Sequence, residues 1–375
     1  MSGRRSPRRW RPSDRPLARL TRRITQRHIE RLTPVRVSDA TGEVRYVYRR
    51  LEQEFGLLAP PVALHAAAPA VLAGCWLMLR EALLVHARVG RDTKEAVAAA
   101  VSLVNRCPYC VDVHGTALHG LLRGPDARAL TDDRLGEVRE PRLRAVAEWF
   151  RHGGAAAVPA HLGTAEVVEL IGVSVLFHYL NRMVNVFLTG SPLPAMPPAA
   201  ARVVHRLAAV TMARLTRRRG APGADLDLLP PAPVPPDLDW AHGNPILAAA
   251  FARAAVAIDA AGRDAVPAGV RSLVLRLLAG PDGLRSLTDR AGVDAVLATL
   301  PEADRAAGRL ALNTAFFSWR VTDAEVAAFR VDRPGDRPLV ELVSWASLAA
   351  ARRAGHDLWA AWQGSLGAEP SRAGR

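Results

Sequence analysis

The feature that most constrains this chain is the run from Glu166 to Leu188, EVVELIGVSVLFHYLNRMVNVFL. It is apolar on almost every side of a helix, and such a helix has to be enclosed by other elements. Its length would also suit a membrane span. The polar residues inside it, Glu169, His178, Asn181, Arg182 and Asn185, argue instead for a buried helix carrying a polar stripe. A second stretch, Gly56 to Leu79, has no charged residue, but Pro60, Pro61, Pro69 and His65 interrupt it. It predicts a buried turn leading into a helix start, not a spanning helix.

The other segments are of the same kind. Leu72 to Val89 places Leu72, Trp76, Leu79, Leu83 and Ala87 on one face. Gly90-Arg91-Asp92-Thr93 breaks the pattern, with Asp92 or Thr93 placed to cap a helix over Lys94–Asn105. Pro108 after Cys107 marks a new helix start, running to about His119 and stopping at Gly120. Helices are also expected over Tyr46–Phe55 and Arg142–Phe150, and a short basic one over Arg19–Leu32. No segment alternates as a half-buried strand does, and Ala, Leu and Arg dominate over β-branched and aromatic residues. The expectation is an all-α fold.

Gly220–Asp239 contains six prolines, which leave it almost no helix potential. It reads as a linker between a helical domain over 41–219 and a second over 240–365, with tails at 1–40 and 366–375. Helices are expected in the second part over Pro245–Ala261, Ala268–Leu278, Asp294–Leu300, Pro301–Phe316, Thr322–Phe329 and Leu339–Leu358. Gly262-Arg263-Asp264 echoes Gly90-Arg91-Asp92, and Arg352-Arg353 echoes Asn181-Arg182, which suggests a duplicated module. The second copy is degenerate: no cysteine follows the echo, and Arg271 falls near the place of Glu95.

Charge is unevenly placed. Residues 1–50 hold fifteen arginines against Asp14, Glu30, Asp39 and Glu43, a net of +11 that leaves only +3 of the total +14 for the rest. The basic character belongs to a tail, which reads as an arginine-rich leader; nucleic acid, anionic lipid or an acidic partner would be attracted there and not to the body. Arg4-Arg5 and Arg8-Arg9 are followed by Trp10, Arg11 and Pro12 without an apolar h-region, so no export signal is read. Three cysteines, two of them in one Cys-x-x-Cys, fit a reducing, cytoplasmic location with one dedicated thiol site.

That site is Cys107, Cys110 and His114, with Glu95 twelve residues before the first cysteine. With Cys107 as N-cap, Cys110 and His114 share one face of the first two turns. The helix N-terminus lowers a thiol's pKa, a pair at this spacing can close a disulfide, and the histidine can accept or return a proton. A thiolate that attacks a peroxide becomes a sulfenic acid, and a second thiol condenses with it. Glu95, on the preceding helix, would orient the imidazole or relay protons. On the residues alone other readings stay open. His114 could be third ligand of a half zinc site with His119 or Glu95 as fourth. The pair could be a thioredoxin-type motif, which needs βαβ strands, or two structural core cysteines. His119 is expected to stabilise the helix C-terminus, and Cys75 to be an inert core thiol.

Glu95, eleven intervening residues, Cys107-Pro-Tyr-Cys110, three residues and His114, within the phrase Asn105-Arg-Cys-Pro-Tyr-Cys-Val-Asp-Val-His114, resembles the carboxymuconolactone decarboxylase superfamily. Within it the match is to the AhpD-like alkyl hydroperoxidase branch. The resemblance covers about residues 50–190 and reaches 240–365 only as a degenerate copy. It implies an AhpD-like helical bundle and a thiol peroxidase that reduces alkyl hydroperoxides. In that role Cys110 is peroxidatic, Cys107 resolving, and His114 with Glu95 a proton relay. Helix-dipole reasoning alone favours Cys107 as the nucleophile. The resemblance further implies no cofactor or metal, a dihydrolipoyl or thioredoxin-like protein as reductant, a homo-oligomer, and no membrane. His178, Tyr179, Asn181 and Arg182 correspond to the helix that packs over the site in related proteins. The same cysteines would also serve a dithiol–disulfide oxidoreductase, or a redox-switched binding protein whose basic tail contacts nucleic acid. The chain is about twice the length of a simple member, and all its cysteines lie in the first half, so one site per chain is expected.

Overall fold

Apolar residues at helical spacing become helices throughout the structure, a computed structural model that describes residues 22, 26–85, 87–122, 124–188, 220–280 and 290–367. Among these residues there is no strand or sheet, so the all-α expectation holds. The first half comprises α1 (Gly42–Arg50), α2 (Pro69–Leu79), α3 (Arg91–Val104), α4 (Pro108–Leu121), α5 (Asp126–Thr131), α6 (Pro141–Arg151) and α7 (Thr164–Phe187). The second comprises α8 (Pro245–Ala265), α9 (Ala268–Ala279), α10 (Arg290–Leu297), α11 (Arg305–Phe317), α12 (Asp323–Asp332) and α13 (Asp336–Gly367).

Several local expectations shift by a turn. α1 and α2 each pass into a π-helical turn, Leu51–Phe55 and Arg80–Leu84, so the helix expected to Val89 ends at Leu84. α3 starts at Arg91 with Gly90 as N-cap; Asp92 accepts a hydrogen bond from the Thr93 amide and caps nothing. α4 runs through Gly120 to Leu121, because Gly120 keeps a right-handed conformation there. α5 escaped the sequence reading; at six residues it is too short to show a period. Gly56–Leu79 is a buried turn and helix start, as expected: one turn at Pro60–Ala63, a 3-10 turn at Leu64–Ala67, then α2.

α7 is the axis of the fold. Leu170, Ile171, Val173, Val175, Leu176 and Phe177 are buried, each contributing about 1.5–3 kcal/mol on burial. By length and composition α7 and α8 could each cross a membrane, but 94% of the most apolar part of α7 lies inside the protein, against 50% for α8. α7 packs along α13 and α2 along α8, so both halves contribute to one apolar cluster that extends from Ile29 to Trp362. Small residues permit these approaches. A Cβ at Gly355 of α13 would lie 2.4 Å from Cγ2 of Val175, and one at Gly74 of α2 would lie 3.2 Å from Cα of Ala254.

The proline-rich stretch connects the halves but is fastened to both. Asp225 is buried and accepts from Trp76 Nε1 at 2.7 Å, Tyr46 Oη at 2.9 Å and Arg50 Nε at 2.9 Å. Its carboxyl stays below the usual range because these donors outweigh burial. Leu229, Leu238 and Trp240 are buried beyond it, and Pro236–Gly243 forms a 3-10 helix. The basic tail is likewise held from residue 26 onward. Ile29 is buried and bridges Leu188, Arg31 donates to the carbonyl of Val186 and to Asp323, and the Thr33 amide donates to Asp336. The basic helix expected over Arg19–Leu32 therefore does not extend past Arg27. The rest of that helix, apart from residue 22, and the most basic part of the tail, 1–21, lie outside the described residues. So do 368–375, most of the expected C-terminal tail. Arg271 donates to the carbonyls of Val266 and Arg263 and so closes the end of α8.

Candidate active site

The site grows out of the junction between α3 and α4. Arg106, at φ 48°, is in the left-handed region. Its amide donates to Leu103, and the Cys107 amide donates to Ser102 at 2.9 Å, which closes α3 with a Schellman-type turn. Asparagine or glycine is usual at such a position; arginine here costs about 1–2 kcal/mol and stacks its guanidinium on Trp319, 4.9 Å from the ring centre. Cys107 thus ends one helix and is N-cap of the next, and Pro108 at N1 starts α4 without wasting a donor. α4 then runs back along α3.

This reversal brings Glu95 of α3 to His114 of α4, with Nδ1 to Oε2 at 2.5 Å. The other carboxylate oxygen accepts from Arg91 Nε at 2.7 Å, one turn earlier on α3, while Arg91 Nη1 donates to the Leu83 carbonyl. Glu95 is fully buried. Burial pushes its carboxyl up, but Arg91 and His114 outweigh that and hold it at about 2, so it is ionised at neutral pH. An ionised carboxylate only accepts, so Nδ1 of His114 carries a proton and Nε2 is the nitrogen left free of Glu95. Phe177 of α7 meets the imidazole edge-to-face at 4.5 Å and fixes its plane.

Cys107 and Cys110 are both free thiols, 1% and 3% exposed, clustered with Tyr109 and Val184 beneath Val113 and Leu188. Both are therefore buried, Cys107 at the helix start included. Burial pushes the Cys110 thiol well up, its hydrogen bond with Cys107 pushes further, and the amide of Asn181 opposes both. Asn181 belongs to the polar stripe of α7. Asn105 Nδ2 donates to Asn181 Oδ1 at 3.0 Å, and Asn181 Nδ2 donates to Ser102 Oγ at 3.1 Å. Arg182 Nη1 donates to Asn105 Oδ1 at 3.0 Å, and His178 Nδ1 lies 3.1 Å from Asn105 Nδ2. Burial, with Arg182 beside it, keeps His178 neutral, its pKa lowered to about 3. Tyr179 faces away from the cysteines, bonded to His65 Nε2 at 2.8 Å and to Ser344.

The structure therefore brings Glu95 to His114 and Cys107 to Cys110, and sets Asn181 against the pair. It leaves His119 exposed in the last turn of α4 and Cys75 buried on α2, its thiol pushed up by burial. Sequence reasoning missed Arg91, whose only signal is its i,i+4 spacing to Glu95. It also gave no role to Asn105 and Ser102, which carried no signal. Among the described residues no three histidine, cysteine or carboxylate side chains converge on a point.

No family model matches the chain. Over 339 residues, 90% of this chain and 96% of the relative, it is 35% identical to a protein of Mycobacterium tuberculosis named alkyl hydroperoxide reductase Rv2159c. The two are of similar length, and the match spans both halves of this chain. At that identity over nearly all of both chains, the protein belongs to the family of this mycobacterial alkyl hydroperoxide reductase.

Proposed function

We propose that the protein is an oxidoreductase that reduces alkyl hydroperoxides through a Cys107–Cys110 disulfide cycle. The relative's name supports the reaction class. The observation that carries the mechanism is the hydrogen bond at 2.5 Å from the buried Glu95 of α3 to His114, which shares α4 with the two free thiols. His114 takes the Cys110 proton at Nε2, directly or through water, while Glu95 holds the tautomer and stabilises the imidazolium. The Cys110 thiolate attacks the hydroperoxide; the O–O bond breaks, the sulfur becomes a sulfenic acid, and the leaving alkoxide collects the proton from His114 and departs as the alcohol. The Cys107 thiol then condenses with the sulfenic acid, forming the disulfide and releasing water. A dithiol donor restores both thiols and leaves as its own disulfide. A dihydrolipoyl or thioredoxin-like protein, in a reducing cytoplasm, and a homo-oligomeric enzyme complete the reading.

Stopped-flow mixing of the reduced protein with tert-butyl hydroperoxide tests it. Oxidation well above the rate of free cysteine, abolished in Cys110→Ser, is expected. In Cys107→Ser one equivalent of peroxide should add a single oxygen to Cys110, read by mass spectrometry. A rate no faster than free cysteine, or no loss in Cys110→Ser, sinks the proposal.

A further inference from the structure

Both sulfurs of the pair are buried, so a hydroperoxide reaches them only after part of their cover moves. That cover is built of pieces of unequal strength. Tyr109 and Val113 belong to α4 and Val184 to α7, and each is held by the backbone ladder of its helix. Leu188 follows the end of α7, and the N-terminal segment runs against it. Ile29 pairs with Leu188 in an antiparallel bridge, the Glu30 amide donates to the Phe187 carbonyl at 2.8 Å, and Arg31 Nη1 donates to the Val186 carbonyl at 2.7 Å. One residue earlier, His28 meets the Tyr109 ring edge-on at 6.4 Å. Residues 28–31 therefore lie against two of the side chains that enclose the thiols, one on α4 and one beyond α7.

This segment is lightly seated and latched from one side. Within it Ile29 alone is buried. The latch comes from the second half of the chain: Arg31 Nε donates to Asp323 Oδ1 at 2.6 Å, Arg330 Nη2 donates to the Arg31 carbonyl at 2.6 Å, and the Thr33 amide donates to Asp336 at 2.7 Å. The Asp323 carboxylate is 88% exposed, so water and salt screen its pair with Arg31. Arg31 also sits at φ 62°, in the left-handed region, a strain that lifting the segment relieves. Few buried contacts and bonds made at the surface mark a piece that opens before the helices beneath it.

We propose that residues 28–31 are a strap over the thiol pair, latched by Arg31 to Asp323, and that its release admits the substrate to Cys107 and Cys110. The latch gives the cysteine-free half of the chain a part in the site. The inference rests on the proposed function in one respect, that the thiol pair is the reacting group.

The test is the rate of N-ethylmaleimide labelling at each cysteine of the reduced full-length chain, read by peptide mass spectrometry. Cys75, buried on α2, reports opening of the core as a whole. Asp323→Asn and Arg31→Gln each break the latch and should each speed labelling of Cys107 and Cys110 about two- to fivefold. A direct effect of charge on the thiols would instead move these two variants in opposite directions. Ile29→Ala loosens the seat without changing charge and should speed labelling about tenfold or more. Asp294→Asn breaks an exposed pair elsewhere, that with Arg309, and should change nothing. Cys75 should stay unlabelled throughout. Unchanged or opposite rates in the two latch variants overturn the proposal, as does labelling of Cys75 in step with the pair. Should Ile29→Ala fail to fold, the exposed Asp323 still carries the test. Labelling needs no peroxide. Latch-dependent labelling without hydroperoxide turnover would keep this inference and remove the function; fast turnover with latch-independent labelling would do the reverse.

Discussion

Replacing Glu95 by glutamine should cost on the order of 3 kcal/mol at neutral pH, and the loss should vanish in acid. Glu95 is fully buried between Arg91 and His114, and its carboxyl is held at about 2 instead of 4.5. At about 1.36 kcal/mol per pH unit, that depression corresponds to roughly 3 kcal/mol of stabilisation. An independent route gives a similar figure, since removing one partner of a buried ion pair leaves the other uncompensated at a cost of about 3–5 kcal/mol. The folded pKa lies below the unfolded one. The contribution is therefore fully present above pH 4.5 and is lost as the pH falls towards 2. Urea unfolding of the parent and Glu95→Gln, followed by helical circular dichroism, should show a constant gap in midpoint between pH 8 and pH 5 that closes below about 4.5. Peroxide oxidation should slow about 10–100-fold as the imidazole loses its orienting charge. A gap under about 1 kcal/mol at pH 7, or one equally wide at pH 3, would refute the account of Glu95 as a buried, ionised partner of Arg91 and His114.

Other consequences can be checked separately. His65 and His178 are buried, with pKa values lowered to about 4 and about 3, so the unfolded chain protonates first; stability should fall as pH drops below 6.5, by up to about 2.7 kcal/mol per pH unit, and a flat urea midpoint between pH 7.5 and 5 would contradict this. Asp225→Ala strips the acceptor from Trp76, Tyr46 and Arg50 and should cost about 3–5 kcal/mol, with new protease cleavage within 220–244; an intact strap at equal protease dose argues against its anchoring role. Gly355→Ala and Gly364→Ala share α13 but should differ in sign. The first drives a Cβ to 2.4 Å from Val175 and should cost about 1–3 kcal/mol, whereas the second meets nothing within 4 Å and should gain up to about 1 kcal/mol, both read from thermal midpoints.

The fold class was legible because helix periodicity is a local property. The apolar run at 166–188, with its embedded polar groups, required a helix enclosed by protein, and α7 is that helix. The grouping of Cys107, Cys110 and His114 was legible for the same reason: they fall within two turns, and their spacing fixes a shared face before any packing is known. The boundaries that moved did so for local geometric reasons, such as the left-handed Arg106 and the π turns after α1 and α2, which leave no mark in composition.

By itself the sequence determined the helices, the thiol pair on a helix start and the glutamate at its fixed distance, since all depend on groups within a few turns of one another. Only the tertiary structure decided that both sulfurs are buried, that the proline-rich stretch is fastened by Asp225, and that the polar stripe of α7 is hydrogen-bonded to Asn105 and Ser102. Those outcomes depend on desolvation and on hydrogen bonds between segments 76 and 149 residues apart. Periodicity and spacing carry no information about either.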